Sequence, residues 1–445
     1  MDSQARRELA AGIGSAAVPI EGPGGDWTPL LERLGRAHIV LLGEASHGSQ
    51  EFYRARTILT ERLIAEHGFQ AVVVEADWPD AYRVNRYARG ESGDATATEA
   101  LGGFMRFPVW MWRNTEVGAF VEWLYEHNAT ARAGLPPVGF YGMDLYSLHA
   151  SADAVLRYLE RVDPKAAELA RQRYACFEPY RADVHDYGRT AEHALEDCEP
   201  EAIRQLLDLL RQRARYLQTD GLSAEEAFFD AEQNARLVRG AEAYYRAMYR
   251  GSVESWNLRD GHMAGTVESI YAQLERRFGS ARLVVWAHNS HLGDAGATSL
   301  SGEGEINLGQ MIRARHGRRC FIVGFTSFEG TVTAAPRWAA PGRRMHLRPA
   351  LEGSVERIFH EAGPAKFWLP LGEAAPKGLE RPLLERAVGV VYRPESERLS
   401  HYFEARIAAQ FDAVVHFDQT HAVRPIDAAV GVREPEPPET FPSGV

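Results

Sequence analysis

Cysteine is scarce in this chain of 445 residues. Only Cys176, Cys198 and Cys320 occur, and they are widely spaced without a CxxC pair. Because an odd number at such spacings offers no disulfide framework, the sequence predicts a protein without disulfides, as is typical of a reducing cytoplasm. No cysteine has a histidine directly beside it in the sequence, which disfavours a thiol nucleophile.

Long apolar runs are absent too. No stretch approaches the roughly 20 residues that cross a bilayer, and the first 20 residues lack the continuous apolar segment of a signal peptide. Positive charge is outnumbered, since 50 Lys and Arg stand against 61 Asp and Glu, which gives a net charge of −11. This balance disfavours nucleic acid and anionic membranes as partners. We therefore expect a cytoplasmic protein that binds neither.

Strand patterns are confined to two parts of the chain. The length of the whole chain suits one large domain with insertions, or two domains. Between about residues 148 and 251, Arg, Glu, Ala and Leu dominate and strand patterns vanish. The predicted organisation is a first part of an α/β core at 1–148, an all-helical insertion or subdomain at 149–252, and a second part of the core at 253–445. The last part ends in a tail rich in Pro and Glu at 434–438, which we expect on the surface.

One stretch joins a strand pattern directly to polar residues. Residues 37–42 form an apolar run typical of a buried strand, and a helical pattern begins at Phe52. Between them lie Glu44, Ser46 and His47. Open α/β sheets place ligands at such turns, at the carboxyl ends of the strands. An ordinary turn with a helix-capping neighbour would account for the same residues, so the stretch alone leaves both interpretations open.

Three further predicted strands also end on ionisable residues. Glu75 ends residues 69–75, Asp144 follows residues 138–142, and His288 and His291 follow residues 281–287. Strands that alternate with helices predict an α/β fold, with a mostly parallel central sheet flanked by helices. Because a parallel sheet has all its carboxyl ends at one edge, we expect these residues to meet there with Glu44 and His47.

Smaller elements complete this pattern on both sides of the helical segment. Three short apolar runs predict further strands, at residues 319–325, 388–392 and 412–417. Residues 115–128 have the spacing of an amphipathic helix. Thr115 is its predicted N-cap, because a hydroxyl at this position can accept a hydrogen bond from the first free backbone N–H groups.

The converging residues suit acid–base chemistry. Imidazole titrates near neutrality and can take a proton from water, and a neighbouring carboxylate fixes its tautomer and stabilises the imidazolium that forms. Arg56 lies nine residues after His47. Its guanidinium could reach back to bind a carboxylate or stabilise an oxyanion, but without further context a surface salt bridge is the better explanation.

Serine and metal chemistry match the sequence less well. A nucleophile elbow requires Gly-x-Ser-x-Gly, whereas Glu44 lies two residues before Ser46, so Ser46 is a poor nucleophile. His288 and His291, together with the nearby carboxylates, supply enough donors for zinc or iron. Their His-x-x-His spacing differs from that of a helical HExxH site, and hydrogen-bonded His–Glu pairs would account for the same residues.

Aromatic residues cluster in a predicted ordered loop at residues 104–114. The loop sequence FMRFPVWMWRN combines large apolar side chains with arginines, and it could line a wide pocket for a bulky ligand. Burial in the core would explain its phenylalanines as well. Trp110 and Arg113 of this loop, with Asp144 and Tyr146, are the predicted substrate-binding residues.

Seven stretches in collinear order resemble the erythromycin esterase family, including its succinoglycan-biosynthesis-like relatives. They are GEASHGSQEFYRAR (43–56), VVVEADWPDAYRVNRY (72–87), MRFPVWMWRN (105–114), GMDLYSL (142–148), SWNLRDGHMAGTV (255–267), WAHNSHLGDA (286–295) and INLGQMIRARHG (306–317). The resemblance spans nearly the whole chain. It implies an α/β core whose active-site cleft has an all-helical subdomain on one side.

The characterised members of that family hydrolyse the macrolactone ester of macrolide antibiotics, with a histidine as general base on water and no obligatory metal. The resemblance places this base on His47. It places the other active-site positions on Glu44, Arg56, Glu75, His288 and His291. We therefore expect a hydrolase without a cofactor, which acts on a small-molecule ester, either a macrolide, with antibiotic resistance as the consequence, or another bulky ester.

Two alternatives stay open beside this hypothesis. The same His/Glu cluster could serve a metal-dependent hydrolase or a metal- or haem-binding protein. The fold could also carry a non-catalytic binding protein. The six-residue set is complete, which favours an enzyme, but the segments that would recognise a macrolide are variable in the family.

Overall fold

A computed structural model describes residues 3–21, 25–130, 136–191, 198–218 and 221–427. The predicted tail at 434–438 lies outside these residues. Within them, strands alternate with helices on both sides of a long helical segment, as the sequence predicts.

Eleven strands lie in the described part of the chain, nine of them in one central sheet. They are β1 Val18–Pro19, β2 Ile39–Leu42, β3 Ala71–Asp77, β4 Gly139–Asp144, β5 Leu283–Trp286, β6 Cys320–Ala334, β7 Arg343–Leu347, β8 Lys366–Pro370, β9 Leu383–Arg386, β10 Tyr402–Ala405 and β11 Ala413–Thr420. The sheet order is β1-β8-β11-β6-β2-β5-β3-β4, with β7 beside β6. From β11 to β4 all neighbours are parallel, whereas β1, β7 and β8 join antiparallel. The predicted mostly parallel sheet is confirmed.

The central strands are aligned so that their carboxyl ends emerge together. Strands β2 and β5 are apolar and buried along their whole length, as expected of strands that are covered on both faces. Trp286 at the end of β5 pairs with Leu42 of β2 on one side and with Val74 of β3 on the other. The residues that follow these three positions therefore reach the same edge of the sheet.

Eighteen α-helices lie in the described residues and cover both faces of the sheet. They are α1 Ser3–Ala16, α2 Thr28–Leu34, α3 Gln50–His67, α4 Trp78–Ala88, α5 Ala97–Ala100, α6 Thr115–Thr130, α7 Leu148–Val162, α8 Pro164–Tyr174, α9 Val184–Ala191, α10 Glu199–Arg211, α11 Arg213–Tyr216, α12 Gly221–Ala247, α13 Ser252–Phe278, α14 Asn289–Leu292, α15 Leu308–His316, α16 Val355–Glu361, α17 Glu397–Ser400 and α18 Ile407–Gln410. Alternate residues of β2 enter two separate apolar cores, Val40 and Leu42 one of them, Ile39 and Leu41 the other. Among the described helices, none combines the length and apolar character needed to span a bilayer.

The described residues of the segment from α7 to α12 form helices and short connections, which confirms the predicted absence of strands there. Aromatic side chains join its helices, since the Tyr158 ring of α7 meets Tyr216 and Phe228 edge-on. Large rings bury much apolar surface and add favourable edge-to-face contacts. The segment therefore has an apolar core of its own that continues into the core on one face of the sheet.

Cysteine pairing differs from the prediction. Cys176 and Cys198 form a disulfide with their Cα atoms 6.1 Å apart, so the prediction of a protein without disulfides is wrong. The two residues are 22 positions apart in the chain, and they meet because α8 packs against α10. Sequence spacing does not show that packing. Cys320 is free and buried.

Residues 388–392 are not a strand, contrary to the prediction. Val388 pairs with Ser46 and Val391 with Ala335, each in a single isolated bridge. Both partners lie just beyond the ends of strands, where no continuous ladder of hydrogen bonds can form. The strand of this region comes earlier, at Leu383–Arg386.

The N-cap of α6 is Asn114 rather than the predicted Thr115. The Asn114 Oδ1 atom accepts hydrogen bonds from the backbone N–H groups of Glu116 and Val117, at 3.0 and 2.9 Å. Its Nδ2 atom donates to the carbonyl oxygens of Trp110 and Met111, at 3.1 and 3.0 Å. Asn114 is fully buried, so it ties the aromatic loop to the helix without access to water.

Replacing Asn114 with alanine should lower the free energy of unfolding by about 2 kcal/mol or more. The N–H groups of Glu116 and Val117 and the carbonyl of Trp110 lose their side-chain partner, whereas the Met111 carbonyl keeps the Tyr53 hydroxyl. Thr115→Ala is the matched control, since this side chain is exposed, and it should change stability by less than about 0.5 kcal/mol. Urea unfolding followed by tryptophan fluorescence measures both. Equal losses in the two variants would contradict the assignment of the cap.

Candidate active site

The turn after β2 brings the first catalytic candidates to the sheet edge. Two glycines in this turn let neighbouring residues pack directly against its backbone. A Cβ atom on Gly43 would lie 2.1 Å from Oδ1 of Asn289, and one on Gly48 would lie 1.8 Å from the carbonyl oxygen of Thr333. Only glycine allows these approaches. The turn is therefore held against the residues that follow β5 and against β6.

Glu44 and His47 form a buried pair in this turn. The Nδ1 atom of His47 lies 2.9 Å from Oε1 of Glu44. Because a carboxylate only accepts hydrogen bonds, Nδ1 carries the proton and Nε2 is left with a lone pair. The backbone carbonyl of His47 accepts a hydrogen bond from the Tyr53 hydroxyl at 2.8 Å. These two contacts fix both the tautomer and the position of the imidazole.

Arg56 is the second buried partner of Glu44. Its Nη2 donates to Oε2 of Glu44 at 2.6 Å, and its guanidinium lies over the rings of Tyr53 and Trp286, at 4.6 and 5.2 Å from their centroids. Arg56 is fully buried. It is thus placed to hold Glu44, and it does not line the cavity described below, where the predicted oxyanion contact would be made.

Arg259 of α13 is the centre of a second buried cluster. Its Nε and Nη2 donate to the two oxygens of Asp144, at 3.0 and 2.7 Å. Nη2 also donates to Oε1 of Glu75 at 2.8 Å, and Nη1 lies 3.0 Å from Nε2 of His291. Bidentate Arg–carboxylate pairs are strong and geometrically specific. One guanidinium thus joins the ends of β3 and β4 to the segment after β5.

Arg259 and Asp260 were not predicted from the sequence, although both lie in the block at residues 255–267. Asp260 is fully buried. It accepts from Nδ1 of His291 at 2.9 Å and from the backbone N–H of Leu308 at 2.9 Å. The resemblance of that block was the signal that could have found them, since two consecutive charged residues on a helix say nothing by themselves.

His291 is oriented by this cluster from three sides. Its ring stacks on Trp256 with centroids 4.6 Å apart, Asp260 accepts from Nδ1, and an N–H group of Arg259 points at Nε2. Burial lowers the pKa of His291, but Asp260 and Glu75 outweigh burial and raise it. The arginine contact at Nε2 fits an unprotonated nitrogen, because arginine has no acceptor.

His288 connects the two clusters. Its backbone N–H donates to Oε2 of Glu75 at 2.9 Å, and its Nδ1 accepts from the backbone N–H of Ser290 at 3.2 Å. Its ring lies 5.0 Å from that of His47, measured between centroids. Burial, and then the proximity of His47, hold the pKa of His288 well below its ordinary value, so this imidazole is neutral.

The carboxyls of Glu75 and Asp144 are ionised. Burial alone would raise the pKa of Glu75, but His291, His47 and Arg259 outweigh it and lower that pKa. Burial likewise opposes ionisation of Asp144, and Arg259 lowers its pKa. The strand register and the contacts above confirm the predicted meeting of these carboxylates with Glu44 and His288 at one edge of the sheet. The roles of the four residues stay a prediction.

A cavity of about 80 Å³ opens beside these residues. Its polar side is formed by His47, Glu75, Asp77, Asp80, Asp144, Tyr146 and Arg259, and its other side mainly by the loop residues Phe104, Arg106, Phe107, Pro108, Met111 and Trp112. Burial, and next the neighbouring Asp77, raise the pKa of Asp80 to about 7. Sequence reasoning missed Asp80, whose position in the first turn of α4 looks like an ordinary helix start.

The predicted substrate-binding residues divide into two pairs. Asp144 and Tyr146 line the cavity, and the guanidinium groups of Arg106 and Arg259 lie 4.4 and 5.1 Å from the Tyr146 ring centroid. Trp110 and Arg113 lie outside the lining. Arg113 instead pairs with Asp427, and Trp110 packs edge-on against Phe107.

No described residue of the helical segment lines this cavity, contrary to the expectation that the segment forms one side of the cleft. It supports the site from behind, since the Tyr244 ring meets that of Tyr146 edge-on and the Tyr245 hydroxyl donates to the Tyr146 carbonyl at 3.3 Å. Its own wall faces a separate and larger cavity of about 1100 Å³, which includes Tyr158 and Asp230.

A family model described as erythromycin esterase matches residues 64–420 of the chain. The chain belongs to the erythromycin esterase family. The match begins at residue 64 and so does not include Glu44, His47 and Arg56. Membership of the erythromycin esterase family supports a hydrolase with a small-molecule substrate.

Relatives and solved structures agree with this assignment. Erythromycin esterase type II of Escherichia coli is 22% identical over 361 residues, which cover 76% of this chain and 81% of that protein. The crystal structure of a succinoglycan biosynthesis protein is 20% identical, with a TM-score of 0.75 over 96% of this chain and all of that one. A histidine-to-asparagine mutant of the erythromycin esterase EreC, in its open conformation, is 18% identical, with a TM-score of 0.64 over 91% of this chain and 97% of that one. They confirm the predicted fold.

The positions of the side chains that could donate to a metal bear on the metal-dependent alternative. In the part of the chain that the structure describes, no group of three or more His, Cys, Asp and Glu side chains is arranged to hold a metal ion. Glu75 and Asp144 are already paired with Arg259. A fixed guanidinium between two carboxylates supplies the positive charge that a cation would bring and repels a second one.

Glu385 is a fully buried carboxyl near the site. Its Oε1 accepts from Nδ2 of Asn289 at 3.3 Å. Burial, and then Glu356, raise the pKa of Glu385 to about 8, so the folded protein holds a proton that the unfolded chain releases near pH 4. Since the folded state then binds the extra proton, this group's contribution to stability falls as pH rises from about 5 to about 8, by about 1.4 kcal/mol per pH unit.

Glu385→Gln should remove this contribution, because glutamine has the shape of the protonated acid and does not titrate. The free energy of unfolding, measured in urea at pH 5, 6, 7 and 8, should therefore fall less steeply with pH in the variant than in the unmodified protein. Glu404→Gln on the neighbouring strand is the control, since this side chain is exposed. Parallel pH profiles for Glu385→Gln and the unmodified protein would show that the prediction is wrong.

Proposed function

We propose that the protein is a carboxylic ester hydrolase in which His47 activates water for direct attack on the ester carbonyl, without an obligatory metal. The observation that carries this proposal is the Glu44–His47 pair. Glu44 accepts a hydrogen bond from the Nδ1–H group of His47 at 2.9 Å, and His47 borders the cavity. An imidazole held in this tautomer can accept a proton from water through Nε2.

The proton and the charges follow from the contacts. His47 takes a proton from water, the hydroxide adds to the carbonyl carbon, and His47 returns the proton to the leaving alcohol oxygen. Glu44, itself bound by Arg56, stabilises the imidazolium between these steps. Acid and alcohol leave, and no bond to the protein is formed.

Arg259 is the proposed donor to the oxyanion, in place of Arg56. Contacts among the described residues account for four of its five N–H groups, which leaves one on Nη1. Arg259 borders the same cavity as His47. A fixed donor in a buried site stabilises the negative charge that develops on the carbonyl oxygen. Glu75 and Asp144 hold this guanidinium in place.

The size of the cavity supports a small ester group as substrate. Sites that enclose a drug-sized ligand measure about 300–1,000 Å³, whereas this cavity measures about 80 Å³. A simple ester can place its carbonyl there directly. A macrolactone reaches His47 only if the loop at 104–112 moves outward. We therefore propose that esters other than macrolides are the better substrates.

The test is a panel of nitrophenyl esters and macrolides, each assayed with and without a chelator. We expect hydrolysis of the small esters that does not change with the chelator. Activity that is lost on chelation and restored by zinc would favour a metal-dependent hydrolase. Binding of these compounds without turnover would favour a non-catalytic protein on the same scaffold. Faster turnover of a macrolide than of any simple ester would contradict the proposed substrate class.

A further inference from the structure

The larger cavity, of about 1100 Å³, lies between α4 of the core and helices α7, α12 and α13. None of its lining residues borders the cavity beside His47. Six arginines line it, which we call the arginine groove: Arg83, Arg86, Arg89, Arg157, Arg161 and Arg277. In a chain with a net charge of −11, such a concentration of positive charge needs a physical explanation.

The spacing of the arginines places them on facing helix surfaces. Arg83, Arg86 and Arg89 follow one another at intervals of three residues along α4 and its end, and Arg157 and Arg161 are four residues apart on α7. Residues at these intervals share one face of a helix, and like charges there repel each other. Two rows of positive charge thus meet across the groove.

Half of these arginines have a carboxylate partner. Arg83 pairs with Asp94 at 2.5 Å, and Arg89 pairs with Glu226 at 3.1 Å. Arg277 also pairs with Glu226. Three positive charges thus share two carboxylates, Asp94 and Glu226.

The other half have none among the described residues. Arg86 donates only to the carbonyl oxygen of Glu91, at 2.7 Å. Arg161 lies over the Tyr158 ring at 5.7 Å, and Arg157 makes no ion pair or hydrogen bond within the described chain. Three guanidinium groups from two helices therefore line the groove without a direct ion pair to a described carboxylate, although the charge of Asp230 acts on Arg86 and Arg157.

A buried polar floor lies between the two rows. Asp230 accepts from Nε1 of Trp78 at 2.8 Å and from Nδ2 of Asn234 at 2.9 Å. Burial raises the pKa of Asp230 to about 6, and Arg157 and Arg86 are among the groups that oppose this shift. Arg86 and Arg157, one on each helix, line the same groove as this carboxyl.

Asn234 adds an acceptor that has no partner. Its Nδ2 atom donates to Asp230, which distinguishes the amide nitrogen from the amide oxygen. The oxygen, Oδ1, is buried and has no hydrogen-bond partner among the described residues. Asn234 lines the groove and is almost fully buried. A buried acceptor without a donor is costly, and a hydroxyl group of a ligand would satisfy it.

We propose that the arginine groove binds a small organic phosphate that also carries hydroxyl groups, of the kind found in phosphorylated sugars. A phosphate dianion can accept paired N–H···O hydrogen bonds from several guanidinium groups at once. A single carboxylate can accept fewer of them. Arg157 and Arg161 hold the phosphate from α7, Arg86 reaches it from α4, and Asn234 accepts from a hydroxyl. This site is independent of the proposed esterase function.

Isothermal titration of the full chain at low ionic strength tests the site, with fructose 1,6-bisphosphate as probe and inorganic pyrophosphate for comparison. The Arg157→Gln/Arg161→Gln double variant should raise the Kd for the sugar bisphosphate by about tenfold or more, because charge-assisted hydrogen bonds are lost. Both side chains are exposed, so the melting temperature without ligand should stay unchanged.

The Arg204→Gln/Arg211→Gln double variant is the matched control. It removes the same two charges from exposed positions on α10 outside the groove, and it should change the Kd by less than about twofold. No binding of either probe to the unmodified protein, or an equal loss in both double variants, would overturn the proposal. Pyrophosphate that binds as tightly as the sugar bisphosphate would refute the hydroxyl contact.

Discussion

His47→Ala is expected to lower kcat for ester hydrolysis by about 10²–10⁴-fold, the usual contribution of a general base. The variant should stay folded, because the removed ring leaves no buried charge without a partner. Glu44 keeps its contact with Arg56 at 2.6 Å. Steady-state kinetics with the best ester of the panel, together with the urea midpoint, measures both effects.

Ser46→Ala is the control for this result. The Ser46 hydroxyl lies 2.5 Å from that of Ser49 inside the same turn, so the change disturbs the turn slightly but removes no group from the proposed chemistry. Most of the activity should remain. A burst of alcohol release that precedes steady turnover and disappears in Ser46→Ala would show an acyl-enzyme on serine, and would overturn the role given to His47.

Arg259→Met is expected to lower the free energy of unfolding by about 3–5 kcal/mol, because it leaves buried carboxylates without their partner. Arg259 is the bidentate partner of Asp144 and also binds Glu75. Activity should be lost as well, since the proposed oxyanion donor is removed. Urea unfolding and ester hydrolysis report the two losses separately.

The pairing of Arg259 with Glu75 and Asp144 also makes the free energy of unfolding depend on pH. The pKa values of Glu75 and Asp144 are lowered in the folded protein, so the unfolded chain binds more protons below about pH 4. The stability that these carboxylates supply is therefore present above that pH and is lost as pH falls. Arg259→Met should show a weaker loss of stability in acid than the unmodified protein.

Two variants separate the cluster from a general effect of losing an arginine. Arg113→Met removes a partly buried arginine from its pair with Asp427 near the surface, and should cost about 1 kcal/mol or less. Adding Asp144→Asn to Arg259→Met should recover part of the stability, because one uncompensated charge is removed. If the double variant is no more stable than Arg259→Met, the buried-charge explanation is wrong.

Local patterns were sufficient for most of the sheet edge. Each of the strands β2, β3, β4 and β5 is an apolar run that ends in polar residues, and a parallel sheet aligns such ends whatever their separation in the chain. For this reason the amino-acid sequence was enough to place Glu44, Glu75, Asp144 and His288 together. The Glu44–His47 contact is local too, because three residues separate the two side chains in one turn.

The pattern of residues in the helices did not indicate which of them reach the edge of the sheet. Arg259 and Asp260 lie in the middle of α13, where charged residues are ordinary. The partners of Arg259 come from the ends of two strands more than a hundred residues away. Arg56 contacts Glu44 of the predicted set, but the direction of its side chain was not predicted, because a long side chain on a helix can reach several places and only packing selects one.

The sequence by itself determined the fold class, the family and the edge of the sheet where polar residues meet, because these follow from periodicity, from strand ends and from collinear motifs. Only the tertiary structure decided which charges touch. It paired Arg56 with Glu44, set Arg259 between Asp144 and Glu75, joined Cys176 to Cys198 and opened the arginine groove between α4 and α7. Each of these depends on how helices distant in sequence pack on the sheet or on one another, and such packing depends on the shapes of all the side chains at once.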